Sequence, residues 1–180
     1  MSLLKWFGLA ESEDAPRVDS LAEIERVLTG LDADAARFVA CFAYILHRIA
    51  RADHDITEDE STLIERLVAE RGRLSVEQAR VVASIARAEG LRHGGTEDFI
   101  VTREFARLAS REQKLALLDC LFAVSASDQS IRTVEDNEIR RVASEIKLDH
   151  ADFIQVRSAH AQHLASRRTK ATNGVNDDLV

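Results

Sequence analysis

Glycine and proline are scarce in this sequence, whose 180 residues contain seven Gly and one Pro. An all-β fold depends on many turns marked by these two residues, so their scarcity argues against one. Ala, Glu, Arg and Leu are abundant instead, as is typical of helical proteins. Because 46% of the residues are hydrophobic, we expect one compact all-α domain with a substantial core.

Long apolar runs and paired cysteines are lacking as well. No uninterrupted apolar stretch approaches the roughly 18 residues of a membrane-spanning helix, and the first residues have neither the apolar length nor the cleavage site of a signal peptide. The two cysteines, Cys41 and Cys120, lie within apolar stretches, which favours buried free thiols. We therefore expect a cytoplasmic protein, with peripheral attachment to the inner face of the membrane as an option.

Positive charge is in deficit, since 24 Lys and Arg stand against 31 Asp and Glu for a net charge of −7. Phosphate backbones repel an acidic surface, so nucleic acid is not an expected partner. The sequence also lacks a phosphate-binding loop, a serine-hydrolase elbow, a paired-Cys metal motif and the Glu-x-x-His motif of di-iron bundles. These absences predict a protein that is not an enzyme and has no evident organic substrate.

Residues 1–18 are interpreted as an apolar arm and linker. Five apolar side chains surround a single lysine, namely Leu3, Leu4, Trp6, Phe7 and Leu9. An acidic stretch follows them. Such side chains insert at membrane interfaces, so the Trp6/Phe7 segment is a candidate anchor for a membrane surface or a protein partner. The alternative is an arm packed on the protein's own body, or a frayed terminus. Residues 19–167 are the predicted helical domain, and residues 168–180 a disordered tail.

Helix starts are marked by Ser or Thr followed three residues later by Glu or Gln, the capping-box pattern. The pattern occurs at Ser20/Glu23, Thr57/Glu60, Ser75/Gln78 and Ser110/Gln113, with further candidate N-caps at Thr96, Thr133 and Asp149. Helix ends are indicated at Gly30, Gly72, Gly90 and Gly94-Gly95. Together with apolar stripes at three- and four-residue steps, these signals predict seven or eight helices, near residues 20–29, 34–51, 58–71, 76–89, 97–108, 111–126, 134–147 and 150–167.

An internal repeat relates two helix–loop–helix units at an offset of 75 residues. At the helix junction this register aligns Asp53 with Asp128, Ile56 with Ile131 and Glu60 with Glu135. We interpret the repeat as a duplication, which predicts a bundle with two pseudo-symmetric halves.

Two such loops, related by a pseudo-twofold axis, would gather carboxylates at one end of the bundle. The candidate metal ligands are Asp53, Asp55, Glu60, Asp128 and Glu135. Ca²⁺ and Mg²⁺ are the cations that bind such all-oxygen sets.

A purely structural interpretation stays open beside the metal site. Glu60 is the expected capping-box partner of Thr57, and aspartates in loops often accept backbone hydrogen bonds. The capping explanation fits Glu135 less well, because that residue stands only two positions after the expected cap Thr133.

The segment Ile49–Ile64, IARADHDITEDESTLI, resembles the Ala-x-Ala-Asp-Gly-x-Ile-x-x-x-Glu pattern of the TerB-like family of tellurite-resistance proteins. Residues 124–139 repeat the resemblance, which extends over about residues 34–165. The same domain occurs at the N-terminus of some membrane-anchored DnaJ-like co-chaperones. This sequence departs from the family pattern at His54 and Gln129, which stand where Gly follows the Asp, and His54 could supply a ring nitrogen to a transition metal.

The resemblance implies a compact helical bundle of two pseudo-symmetric halves and a non-enzymatic role in a metal- or chemical-stress response near the membrane. It also implies metal binding by the matching acidic residues Asp53, Glu60, Asp128 and Glu135. The alternative function is a metal-free helical module whose acidic face or N-terminal segment docks a protein or a membrane.

Overall fold

The architecture is given by a computed structural model that describes residues 28, 30–52, 56–93, 96–127 and 130–164. For residues 89–93, 96 and 97 it describes the backbone only. The described residues form seven α-helices: α1 Ala33–Ala50, α2 Glu58–Gly72, α3 Val76–His93, α4 Thr96–Leu108, α5 Arg111–Ser125, α6 Thr133–Glu145 and α7 His150–Ala159. A short 3₁₀-helix, Ala161–His163, follows α7. The predicted all-α class is confirmed.

Helix α1 is the centre of the bundle. Its sequence is apolar on nearly every face, and such a helix is stable only when other helices surround it. It packs against α2, α3, α4, α5 and α6, and the side chains from Val39 to Ala50 are all buried. The predicted apolar stripes of α2 and α5 also face this core, where Ile64, Leu117 and Leu121 are fully buried.

The two predicted helix–loop–helix units have matching ends at the offset of 75 residues. Helix α1 ends at Ala50 and α5 at Ser125, while α2 begins at Glu58 and α6 at Thr133. The residues that cap the first helix of each unit have nearly the same backbone angles: φ −90° and ψ 0° at Arg51, and φ −88° and ψ −1° at Ala126. The two units thus share local geometry on both sides of their loops.

Several expected helix boundaries are wrong. Helix α3 runs through Gly90 to His93, so this glycine does not end it. Helix α2, by contrast, ends at Gly72 as expected, and the residue after it, Arg73, is left-handed with φ 54°. Helix α7 ends at Ala159, well before the expected residue 167, because the chain turns so that Ile131 can donate its backbone N–H to the carbonyl of His163 at 2.7 Å.

Thr96 and Thr133, expected as N-caps, are instead the first helical residues of α4 and α6. The expected caps at Thr57, Ser75, Ser110 and Asp149 are confirmed by side-chain hydrogen bonds to backbone N–H groups. The predicted N-terminal arm, the helix at 20–29 except Leu28, and the predicted tail lie outside the described residues.

Candidate functional site

The junction between α1 and α2 is closed by a complete capping box. The Thr57 backbone N–H donates to Glu60 Oε2 at 2.7 Å, and the Thr57 hydroxyl lies 2.9 Å from the same oxygen. In return the Glu60 backbone N–H donates to Thr57 Oγ1 at 3.2 Å. These bonds hold the Glu60 carboxylate in the first turn of α2, where the helix dipole favours a negative charge.

The junction between α5 and α6 holds Glu135 by the corresponding backbone bond, without a bond from the N-cap side chain. The N-cap is Arg132, with φ −76° and ψ 157°, close to the −75° and 163° of Thr57. The Arg132 backbone N–H donates to Glu135 Oε2 at 2.7 Å. The expectation that Glu135 is too close to its cap for this bond is therefore wrong, because the cap lies one residue earlier than Thr133.

Burial distinguishes these two glutamates from the other capping residues. Glu60 is 7% exposed and Glu135 is 4% exposed. The corresponding residues of the boxes at α3 and α5 are glutamines, of which Gln78 is partly exposed and Gln113 exposed. Both junctions thus place a carboxylate inside the protein, where an ionised group is costly unless it has partners.

The other three predicted ligands, Asp53, Asp55 and Asp128, lie outside the described residues. Across the described ranges, no group of three or more His, Cys, Asp or Glu side chains is arranged to hold a metal ion. Of the five predicted ligands, the structure therefore places two, each at its expected junction.

The last turn of α1 lies beside α6. The Arg48 guanidinium donates from Nε to Glu138 Oε1 at 2.7 Å. Arg48 is three residues before Arg51, the C-cap of α1. Glu138 is three residues after Glu135. Because Arg48 also bonds Glu145, the last residue of α6, the last turn of α1 lies beside the middle and the end of α6.

A buried network of charged groups surrounds this contact, and the sequence analysis did not find it. Arg48 is 2% exposed and also bonds Glu145 Oε2 at 2.7 Å. Thr102 donates its hydroxyl to the same Glu145 oxygen at 2.6 Å. Asp98 accepts from the Tyr44 hydroxyl at 2.9 Å and from the guanidinium of Arg51. The network joins α1, α4 and α6.

The electrostatics of the network keep Arg48 and Glu145 ionised. Burial opposes the charge on Glu145, but hydrogen bonds from Arg48 and Thr102 outweigh it and lower the pKa of this carboxyl. Burial likewise opposes the charge on Arg48, and its bonds to Glu145 together with the charge of Glu138 raise its pKa. The arrangement is thus a stable ionic cross-link and not a proton donor or acceptor at neutral pH.

The buried polar groups earlier on α1 are poor candidates for chemistry. Burial lowers the pKa of His47 to about 4, and its Nδ1 lies 3.1 Å from the Ala43 carbonyl oxygen. Burial raises the pKa of the Cys41 thiol far above its ordinary value, so the reactive thiolate is not formed. Both Cys41 and Cys120 are free and buried, as predicted.

Comparison with known proteins identifies the family. The family model described as tellurite resistance protein TerB matches residues 39–158. The chain belongs to the TerB family. No curated protein and no solved structure gave a match.

The TerB match confirms the resemblance drawn from the two acidic motifs. It covers α2 to α6 completely and both helix junctions, with most of α1 and α7. The TerB domain thus contains Glu60, Glu135 and the buried ionic network. Within the described ranges, none of the helices is both long and apolar enough to cross a membrane.

Proposed function

We propose that this TerB-family protein is a non-enzymatic accessory protein of a metal- or tellurite-type stress response. In this proposal it binds a divalent cation through the acidic loops at its two helix junctions. The ligands are drawn from Asp53, Asp55, Glu60, Asp128 and Glu135.

The observation that carries the proposal is the burial of Glu60 and Glu135. Capping alone does not need a buried charge, since the exposed boxes at Ser75 and Ser110 use Gln for the same bond. A buried carboxylate costs free energy unless hydrogen bonds, a positive charge or a metal compensate it. Two buried glutamates at equivalent positions, each next to a loop with aspartates, support a cation that both loops approach.

The donor chemistry favours Ca²⁺ or Mg²⁺. A carboxylate has about four lone-pair sites, and the capping bonds of Glu60 all go to Oε2, so this side chain retains acceptor capacity for a metal. Oxygen ligands suit hard cations. A transition metal would instead require a nitrogen donor, for which His54 is the candidate in the first loop.

A reducing compartment is the proposed setting. Cys41 and Cys120 are free and buried, and free thiols are typical of cytoplasmic proteins. The proposed location is therefore the cytoplasm.

Equilibrium dialysis with metal analysis tests the proposal, using Ca²⁺ and Mg²⁺ with the wild-type chain. Asp53→Ala/Asp128→Ala removes one aspartate from each loop. Glu60→Gln/Glu135→Gln removes two charges and keeps the capping bonds, because Gln serves in a capping box as well as Glu. We expect each double variant to bind about tenfold more weakly or worse, since ligand charge sets the affinity of such sites.

Glu58→Gln/Glu112→Gln is the matched control. It removes the same charge from two exposed first-turn carboxylates and should bind like wild type. Failure of the wild type to bind, or equal binding by the loop variants, would overturn the cation site and leave the metal-free interaction module as the function.

A further inference from the structure

A groove of about 630 Å³ opens between the start of α1, the end of α2 and the junction of α4 with α5. Its apolar lining includes Leu31, Phe38, Val39 and Leu108. The Phe38 ring stacks on the buried ring of Phe105 at a centroid distance of 5.3 Å, so the floor of the groove is continuous with the core. The volume lies within the range of about 300–1,000 Å³ that is usual for binding pockets.

The rim of the groove is basic although the chain is acidic. Arg71, Arg73 and Arg107 line the opening, and all three are exposed. Asp32 and Asp34 also line the groove, and Arg107 lies 2.9 Å from its partner Glu104 and 3.9 Å from Asp34. Asp32 already accepts the backbone N–H groups of residues 34 and 35 as the N-cap of α1. The groove therefore suits a ligand with apolar side chains and negative charge.

The described chain begins at the edge of this groove. Leu31 lines the groove, and its backbone N–H donates to the carbonyl of the buried Leu28 at 2.9 Å. Residues 1–27 are thus tethered at this edge. The ten residues 10–19 alone span up to about 33 Å when extended, so the apolar residues before them can reach any part of the groove.

The sequence of this tethered segment complements the groove. Its apolar residues are followed directly by an acidic run, Glu11, Glu13 and Asp14. Trp6 and Phe7 match the apolar floor in chemistry, and the acidic run matches the arginine rim.

We propose that this groove is the docking site of the chain's own N-terminal segment, residues 3–14. Trp6 and Phe7 occupy the apolar floor, and the acidic run faces the arginines. Tethering favours this occupant over any free one, since a short linker gives an effective concentration of about 1 mM. A contact with a Kd of about 100 µM would then be formed about ten times as often as it is open.

Trp6 is the only tryptophan of the chain, so the intrinsic fluorescence of the full-length protein reports on this segment directly. We expect acrylamide to quench Trp6 about tenfold more slowly than the tryptophan of a free peptide of residues 1–18, in line with the docked fraction. The emission of the protein should also be shifted to the blue relative to the peptide.

Arg71→Glu/Arg107→Glu reverses the charge of the rim and should bring the quenching of Trp6 close to that of the peptide. Arg66→Glu/Arg103→Glu makes the same changes at exposed positions of the same two helices, outside the groove, and should behave like wild type. Combining the rim reversal with Glu11→Lys/Glu13→Lys should restore protection. Circular dichroism verifies that each variant is folded.

Three results would overturn the proposal. The first is quenching of wild-type Trp6 at the rate of the peptide, including the case where only anionic vesicles protect it. The second is protection that the rim reversal leaves unchanged. The third is protection lost on dilution, which would mean docking onto a second copy. None of these results bears on cation binding by the junction loops.

Discussion

Arg48 is the residue on which the interior of the molecule depends most. It lies in the apolar segment of α1, where a lone arginine gives no sign in the sequence that it is buried. Its carboxylate partners, Glu138 and Glu145, are 90 and 97 residues away. Sequence periodicity reports only on neighbours along one helix, so no local pattern could have predicted this network.

Replacing Arg48 with Met should destabilise the protein by about 3 kcal/mol, because it leaves the partly buried carboxylates of Glu138 and Glu145 without their buried cation. Urea unfolding followed by circular dichroism measures the loss. Adding Glu138→Gln and Glu145→Gln to the variant should recover much of it. Arg66→Met removes a two-thirds exposed arginine and should have little effect; an equally small effect of Arg48→Met would contradict the role given to the network.

His47 predicts how stability depends on pH. Burial lowers its pKa from 6.5 to about 4; the hydrogen bond to Ala43 opposes the shift, and the charges of Arg87 and Arg51 add to it. Between pH 4 and pH 6.5, His47 of the unfolded chain binds a proton that His47 of the folded protein does not. Stability therefore falls as the pH drops through this window, by about 2 kcal/mol between pH 7.5 and pH 5 from this residue alone.

Urea unfolding at the two pH values checks this prediction. His47→Phe, which introduces the residue found at the aligned position 122, should reduce the difference in stability between them by that amount. The exposed His150 serves as control, and His150→Gln should leave the difference unchanged. The same pH dependence in His47→Phe as in wild type would show that other groups cause it.

At the scale of helices, the sequence signals that predicted helix boundaries correctly are those with a local physical cause. Capping boxes predicted the starts of α2, α3 and α5 because the hydrogen bonds that define them form within four residues. The helix end expected at Gly90 was wrong because a glycine within a helix costs only about 1 kcal/mol of stability, which packing can offset. The end of α7 was unpredictable because it depends on Ile131, which belongs to another helix junction.

The N-caps of α2 and α6 allow a test of the structure against the sequence pattern, which expected Thr133 as the cap of α6. Thr57→Ala should destabilise the protein by about 1 kcal/mol, as the loss of an N-cap usually does. Thr133→Ala should change the stability by less than about 0.5 kcal/mol, because Thr133 is an exposed residue inside α6. Thermal or urea unfolding of the two variants measures the contrast. Equal losses would mean that Thr133, and not Arg132, caps α6.

At the scale of the whole molecule, the sequence predicted that Glu60 and Glu135 are equivalent, but it did not predict what surrounds them. The offset of 75 residues paired Glu60 with Glu135, and the structure gives both the same capping bond and the same burial. The contacts of Arg48 with Glu138 and Glu145 depend on how α1 packs on α6. That packing is a tertiary property, and the repeat pattern does not contain it.

The proposed cation site carries a prediction of its stoichiometry. Ca²⁺ takes six to eight oxygen ligands, and each loop alone offers only two or three carboxylates, whereas both together offer five. If the junctions share one cation, the stoichiometry is one per chain, and Glu60→Gln or Glu135→Gln alone weakens all binding. If each loop binds its own cation, the stoichiometry is two, and each single variant removes one site and spares the other. Because only the two loops together approach the ligand number of Ca²⁺, we expect one cation per chain, measured by calorimetric titration with Ca²⁺.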